Sequence, residues 1–473
     1  MRLPLLIFVY NHLYINKEDF YMYNPFVNQP YIYKSQEEYE TNMQNLGMYQ
    51  EAKKKDQSNN DGMSYLADIF RIKMEATKDQ DMINEAEPDV SYPTGFLNID
   101  YLMGYISKEY NTDIGALTSY YSLGFTDGTF ISVIGNSNVG KSTFVEQTAA
   151  NIARRFRTTT VFIDSTEAGG MTEVRRLHLS KFTKDEYKKR YIIRNSGVNV
   201  ENIYQRIKTI SDLKKEKSSA FLYDTGHRDM YGNPIIKHEP TIYVIDSIAG
   251  LMPADMMDED ELGGNTIGAK TAAKIASLVN GVIQMLKSTN IILIGTNHIS
   301  QDIQMSRFQQ PPALPWLKQG ERIPKGRKAS LLSNHVIRLD RVAKLNPEDG
   351  YKIQGSVVNF SLVKSRTSGN KEPMRMIYDF ANGFDPWLSI LEHLKYNKLL
   401  YGAGAFLSFE PEKQYKFSYG NFREQIYSDP EFRNAFIHYT LPILKKIPIE
   451  VDERAKDMHI DDILNNQELY SIL

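Results

Sequence analysis

The chain of 473 residues has no cysteine. That excludes disulfide bridges and cysteine-based zinc sites, and it fits a reducing cytoplasm. Tryptophan is nearly missing too, with two in the whole chain. No run approaches the roughly 20 apolar residues that span a bilayer, so no membrane role is expected. Neither sign of charge dominates: 56 Lys and Arg stand against 58 Asp and Glu, a net of −2. Nucleic-acid binding therefore cannot rest on total charge and needs a local basic stretch. What is present is ordinary for a globular chain, 41% hydrophobic and 24% charged residues. The length suits two or three domains, or one large α/β core with appendages.

The N-terminus, MRLPLLIFVYNHLY, has the outline of a secretion signal. Its apolar run, Leu3 to Tyr10, is short, has one Arg ahead of it and lacks a small-residue cleavage site. It is read as a strand or packing arm, with Met22 and Met43 as alternative starts. Residues 1–60 form an arm that ends in the polar linker KKKDQSNNDG. A mixed helical segment is expected over about 63–87. Residues 61–390 then read as one core and 391–473 as a mostly helical C-terminal region.

Within the core, short β-branched runs alternate with helical periods: FISVIG, TTTVFID, TIYVIDSIAG, NIILIGTN, HVIRLDRV and VVNFSLVK. Each is almost continuously apolar, as parallel strands covered on both faces are. Helical stretches at 142–155 and 266–288 lie between them. The expected fold class is α/β, with a mostly parallel central sheet and crossover helices.

Directly after FISVI comes Gly135-Asn136-Ser137-Asn138-Val139-Gly140-Lys141-Ser142-Thr143. It fits the phosphate-loop pattern G-x-x-x-x-G-K-[ST] and has the required strand before it and helix after it. Glycines let backbone N–H groups curl around phosphates, and the helix adds its positive end. Lys141 is expected at the β and γ phosphates of ATP, and the Ser142 hydroxyl on Mg²⁺. TIYVIDSIAG delivers Asp246 to a strand end, beside Ser247, where a carboxylate can hold the Mg²⁺ shell; a helix-capping or turn-forming role is the alternative. Glu167, in VFIDSTEAGG, stands where a base for the attacking water is needed, although a carboxylate there can equally serve a helix N-terminus. Asn297 and His298 end the strand NIILIGTN, positioned to sense the γ phosphate or to be satisfied structurally.

In this order the motifs resemble those of RecA-type strand-exchange recombinases, and among them the recombinases of T4-like bacteriophages. The likeness runs from PTGFLNIDYLMGY (93–105) to Leu400, and FSYGNFREQIYSDPEFRNAFIHYTL extends it into the tail. The resemblance implies a RecA-like P-loop ATPase core with ATP and Mg²⁺ at subunit boundaries. It implies a catalytic Glu167, a metal carboxylate at Asp246 and a γ-phosphate sensor at His298. Lys364 and Arg366, in LVKSRTSG, match a pair that reaches a neighbour's ATP; a solvated basic turn is the plain alternative. Trp387 matches an adenine-stacking aromatic, against simple core packing.

The resemblance also implies two DNA-binding loops. The first lies in MPADMMDEDELGGNTIGA, whose front half is acidic here. The second lies between His298 and HVIRLD. From Gln301 to Ser330 it carries Arg307, Lys318, Arg322, Lys325, Arg327 and Lys328 against Asp302 and Glu321. Phe308 and Trp316 are interleaved, and its prolines and glycines are expected to forbid regular structure. Cations tracking phosphates and aromatic faces stacking bases are what single strands need, while an ordinary solvated lid is the alternative. Two features depart from the family. Glu167 follows Asp164 by one residue more than usual, and Lys141 and Asp246 are unusually far apart because of AFLYDTGHRDMYGNPIIKHEP, read as an inserted hairpin.

The implied function is an ATP-dependent recombinase, a DNA-dependent ATPase in the cytoplasm of the (host) cell. It would form helical filaments on single-stranded DNA and pair them with duplex, with single-strand-binding and mediator proteins as further partners. A hexameric replicative helicase and a nucleotide-switched scaffold that ignores DNA are the competing readings.

Overall fold

Strands form where the chain is apolar on both sides, and the alternation of side chains then feeds two separate layers. In the computed structural model, residues 90–156, 158–166, 171–229, 232–256, 265–301, 314–348, 350–369, 371–403, 406–412 and 414–448 are described. The sheet strands are Phe130–Gly135 (β1), Val161–Ser165 (β2), Tyr191–Arg194 (β3), Thr241–Asp246 (β4) and Ile291–His298 (β5), followed by His335–Leu345 (β6), Gly355–Ser365 (β7), Met374–Asp379 (β8) and Gly383–Asp385 (β9). The helices are Leu97–Met103 (α1), Lys141–Ala153 (α2), Glu173–Ser180 (α3), Lys184–Arg190 (α4), Val200–Glu216 (α5), Asn265–Ser288 (α6), Arg327–Leu332 (α7), Pro386–Tyr396 (α8), Tyr419–Ser428 (α9) and Pro430–Leu444 (α10).

The nine strands lie in the order β9-β8-β7-β6-β1-β5-β4-β2-β3. From β3 to β6 every neighbouring pair is parallel. From β6 to β9 every pair is antiparallel. The chain is thus an α/β protein with a large mixed sheet, mostly parallel.

Successive residues of one strand serve opposite faces, as the pleat requires. Ile242 and Val244 of β4, with Ile292 and Ile294 of β5, join α2 through Phe144, Val145 and Ala149. Their neighbours Tyr243, Ile245, Ile291 and Leu293 join α5 and α6 through Ile203, Ile207, Val279 and Val282 on the other side. Both faces are covered, which is why the runs read as continuous rather than alternating.

The expected helices at 142–155 and 266–288 are α2 and α6. VVNFSLVK, expected as a parallel strand, instead runs antiparallel beside β6. Its connection, residues 346–354, is too short for the dozen or more residues a parallel crossover needs. Strand β3 at the edge was not anticipated, because YIIR follows α4 without a turn signal.

The expected inserted hairpin is present, Leu222–Arg228 against Pro234–His238. It docks on a second hairpin, Tyr105–Asn111 with Ala116–Ser122. Glu109 Oε2 lies 2.8 Å from His227 Nδ1, and the Tyr120 ring stacks on His227 with centroids 4.6 Å apart.

Helix α8 runs across residue 390. It shares a core with α9, α10 and the sheet residues Val357 and Ile377. Asp385 caps α8 and Asp429 caps α10, each followed by a proline in the first turn. A knot of phenylalanines fills this region: Phe422 is fully buried, with ring centroids 5.2, 5.8 and 5.0 Å from Phe417, Phe432 and Phe436. Phe422→Ala is expected to cost about 3–5 kcal/mol. A denaturant titration reads this as a lowered midpoint with an unchanged slope, and a midpoint like that of the parent chain would mean that the knot does not hold the region. The arm and linker of residues 1–60, the segment at 63–87 and the polar tail after 448 lie outside the described residues. Among the described residues, no helix is long and apolar enough to cross a membrane.

Candidate functional site

Strand β1 lies in the middle of the sheet between β5 and β6, and it ends at Gly135 where the phosphate loop begins. Asn136, Ser137 and Asn138 are exposed, while Val139 is buried and pins the loop to the core. Gly140 has φ +97°, and a Cβ there would lie 2.9 Å from the Phe384 ring, so both backbone and space demand glycine. Helix α2 then starts at Lys141 with no side chain capping its first amides. Those orphan N–H groups and the helix dipole favour an anion. Lys141 is only 6% exposed. Its Nζ donates to Gly135 O at 3.1 Å and Asn136 O at 2.8 Å, and lies 3.4 Å from His298 Nδ1. Ser142 is half-buried in the first turn, and Thr143 Oγ1 is 3.2 Å from the Tyr378 hydroxyl.

Asp246 ends β4, one strand removed from β1, because β5 pairs with both. Thr296 of β5 donates to Asp246 Oδ1 at 2.5 Å. Thr166 stitches β2 to β4 beyond the last strand residues. Its N–H donates to Asp246 O at 2.8 Å and its hydroxyl to Ser247 O at 2.8 Å. The chain therefore leaves β2 beside Asp246, but Glu167 itself lies outside the described residues. Asp164 is engaged elsewhere, accepting from Arg206 Nη1 and the Tyr243 hydroxyl.

Hard oxygen donors at Ser142 and Asp246 fit Mg²⁺. This ion is usually held by one or two carboxylates plus substrate phosphates and water, rather than by an all-protein cage. Among the described residues no group of three or more His, Cys, Asp or Glu could hold a metal.

Glu146 was not singled out from the sequence. One turn after Ser142, it is buried and its Oε1 accepts from Arg176 Nε at 2.7 Å, while Oε2 has no hydrogen-bond partner. Burial pushes its carboxyl up to about 7, with Arg176 opposing and Asp246 adding to the rise. The signal was its position four residues after Ser142, which puts both on one helix face.

Strand β5 links this site to the basic loop. Asn297 is fully buried, and its Nδ2 donates to Pro324 O at 3.3 Å. A Cβ on Gly326 would lie 1.8 Å from that nitrogen, so only glycine permits the approach.

The loop was expected to be irregular, and here the structure corrects the sequence. Glu321–Arg322 pairs antiparallel with Ser300–Gln301, and Arg327 opens α7. Leu314, Leu317 and Ile323 form a small core with Ile134, Ile299 and Val336. Beneath it Arg338 donates to both oxygens of Glu321 at 2.7 and 2.8 Å, to Asp340 at 2.6 and 3.0 Å, and to Trp316 O at 3.0 Å.

Lys318, Arg322, Arg327 and Lys328 are exposed on this frame. Lys325 is half-buried, with Nζ 3.4 Å from Leu251 O. Trp316 packs against the small core and is only partly available for stacking. In the first loop Ala254–Met256 forms a helical turn, with Asp255 Oδ2 3.9 Å from Lys274 Nζ. Arg307, Phe308 and residues 257–264 lie outside the described residues.

Lys364 and Arg366 sit at the far end of α7. Lys364 Nζ donates to Ser333 O at 2.6 Å and to Leu331 O, and Arg366 Nη2 reaches Leu332 O at 3.4 Å. Cations belong at the C-terminal carbonyls of a helix. Burial, and then Arg366, lower the Lys364 ammonium to about 8.

Trp387, expected on adenine, is 7% exposed inside the C-terminal core, where packing takes up its ring. Among the described residues two aromatics stand beside the loop 135–143, Phe384 and Tyr378, and Tyr378 also carries a hydroxyl. It stacks on Phe384 with centroids 4.8 Å apart, and its ring would lie 3.1 Å from a Cβ on Gly140. Its only sequence signal was its place on a strand, MRMIYD, that carries no motif. Compared with known proteins, the chain matches no protein-family model and no curated protein.

Proposed function

We propose that the chain is an ATP-dependent DNA recombinase of the RecA fold, assembling as a filament on single-stranded DNA for homologous pairing and strand exchange. One observation carries the reading: the end of β5 touches both halves of such a machine. His298 lies 3.4 Å from the phosphate-loop lysine, and its neighbour Asn297 holds Pro324 of the basic segment. A change at one site has a path of two adjacent residues to the other, as a nucleotide-controlled DNA grip requires.

In this reading the loop amides from Asn136 to Thr143 and the Lys141 ammonium hold the phosphates of ATP. Ser142 and Asp246 hold Mg²⁺, which when bound neutralises charge on the phosphates. Glu167 takes the proton of the attacking water, and Glu146, on the same helix face as Ser142, keeps Arg176 in place. Lys364 and Arg366 reach a neighbour's nucleotide only after leaving the carbonyls that end α7, so assembly would be felt at the helix that Arg327 and Lys328 open. Tyr378 offers an aromatic wall beside the loop.

The exposed cations Lys318, Arg322, Arg327 and Lys328 would track the DNA backbone. Four phosphate contacts to a single strand give a log–log salt slope of about −3, so affinity should drop roughly 50-fold from 50 to 200 mM salt. Fluorescence anisotropy with a labelled oligonucleotide measures this, and a slope near zero would remove the electrostatic grip. The assembly itself is tested by electron microscopy with single-stranded DNA and a slowly hydrolysed ATP analogue. Continuous helical filaments are expected. Closed six-membered rings would move the reading to a helicase, and no DNA-bound assembly would leave only the nucleotide site.

A further inference from the structure

Strand β6 is longer than the strand it supports. It pairs with β1 from His335 opposite Ile131 to Leu339 opposite Gly135, where β1 ends and the phosphate loop begins. The two chains are tight at this point, since a Cβ on Gly135 would lie 2.5 Å from Leu339 O. Beyond it β6 runs on to Leu345 with β7 as its remaining partner. Arg341 is two residues past Leu339 and so projects to the same side of the sheet as Leu339.

A bulge follows at once. Arg341 faces Val358 and Ala343 faces Val357, leaving Val342 as the extra residue. Bulges bend a strand and re-aim its side chains, often beside functional sites. Here the arginine side chain reaches the phosphate loop, and its Nη2 donates to Asn138 O. Asn138 is a turning residue of the loop, with φ +59°.

We propose that Arg341 is a positioning residue of the phosphate loop, setting the peptide between Asn138 and Val139. A trans peptide is planar, and its C=O and N–H point in opposite directions. A guanidinium that holds the Asn138 carbonyl on the β6 side therefore directs the Val139 N–H away from β6. In the nucleotide reading of this loop, on which the inference rests, that amide serves the phosphates. The role suits arginine: it is always charged, and of its five donors one can bind a carbonyl while the others remain hydrated. Arg341 is exposed, so the chain has no need of it for core packing.

The experiment uses the full chain with ATP and single-stranded DNA, comparing the parent with Arg341→Ala, Arg341→Lys and Lys141→Ala. Arg341→Ala is expected to raise KM for ATP and the Kd of ATP about tenfold, the effect of losing one hydrogen bond to a charged group. The rate at saturating ATP should stay within about twofold, because the residue affects substrate and transition state alike. Millimolar guanidinium chloride should restore part of the affinity to Arg341→Ala and none to Lys141→Ala, and Arg341→Lys should lie between parent and alanine.

An unchanged KM and Kd in Arg341→Ala would overturn the inference while leaving the nucleotide site in place. So would a loss that guanidinium does not relieve and that follows a lowered melting temperature. A parent chain that binds ATP no better than Lys141→Ala would instead remove the nucleotide reading, and the inference with it.

Discussion

Lys141→Ala is expected to reduce DNA-stimulated ATP turnover by about 10²- to 10³-fold, the usual effect of removing one preorganised charge from a site where negative charge develops. The ammonium is buried at the mouth of the loop by its own backbone, bonded to Gly135 O and Asn136 O. Among the described residues no other Lys or Arg donates to both of those carbonyls, so none of them replaces it directly. Fold should be retained, because the aliphatic stem of alanine still starts α2 and the loop carbonyls can turn to water. Turnover with single-stranded DNA, paired with a thermal melt, separates the two effects. Turnover like that of the parent would place the nucleotide elsewhere. The same variant should still bind DNA weakly, since the exposed cations at 318–328 are not part of the phosphate loop.

Arg338→Met should produce the other large effect, in the basic segment rather than at the nucleotide. Arg338 and Glu321 are each 4% exposed at the side chain and form a two-pronged pair. Removing one partner strands the other charge in the interior, at a cost of about 3–5 kcal/mol. Asp340 and the carbonyl of Trp316 lose the same donor. The penalty falls on residues 314–326, whose own core among the described residues is Leu314, Leu317 and Ile323, with Trp316 packed on it, against the strand ends. The expected result is protease cleavage within that stretch and a fall in DNA affinity of tenfold or more, by the size of that local penalty. ATP binding without DNA should change little. Limited proteolysis and anisotropy check this, and an uncleaved variant with parental DNA affinity would show that the pair does not anchor the loop.

Acid should have a milder version of the same effect. Burial alone would raise the Glu321 carboxyl, but the hydrogen bonds from Arg338 and the Lys318 N–H, with the charges of both residues, together outweigh it and hold the group below its ordinary value. A carboxyl lowered on folding contributes its stability above the unfolded pKa, about 4.3 for Glu. That contribution is lost as pH falls through the lower folded value. The anchored segment should therefore loosen only below about pH 4 and be insensitive through neutrality.

The glycine-bearing loop between β1 and α2 could be read from the sequence because it is local: nine consecutive residues between a strand and a helix carry it. The six apolar runs were equally readable, since a strand covered on both faces leaves no polar alternation. Direction was not. VVNFSLVK has the same apolar character as the parallel strands, and only the short 346–354 connection turns it antiparallel.

Long-range pairings were invisible for a different reason. The basic residues of the second loop stand out by charge, but what fixes the frame of those from Lys318 to Lys328 is the Arg338 guanidinium, seventeen residues beyond Glu321. Nothing in HVIRLDRV distinguishes its first arginine, buried on Glu321, from its second, exposed at the phosphate loop. Trp387 illustrates the same limit, because an indole after GFDP is equally suited to a ligand or a core, and the packing of α8 chose the core. Lys364 and Arg366 read as a pair reaching a neighbour's nucleotide or as a solvated basic turn, and neither reading foresaw the carbonyls at the end of α7 that hold them.

The sequence by itself determined the class of fold and the place of the loop between β1 and α2, because both follow from contiguous patterns of polarity and from backbone freedom at glycine. Tertiary structure alone decided which charges are exposed, which aromatics stand beside the loop, and that one strand end serves both the lysine and the basic segment. Those outcomes depend on side chains brought together across the sheet, and burial and hydrogen bonding between distant residues are not written in any local stretch of the chain.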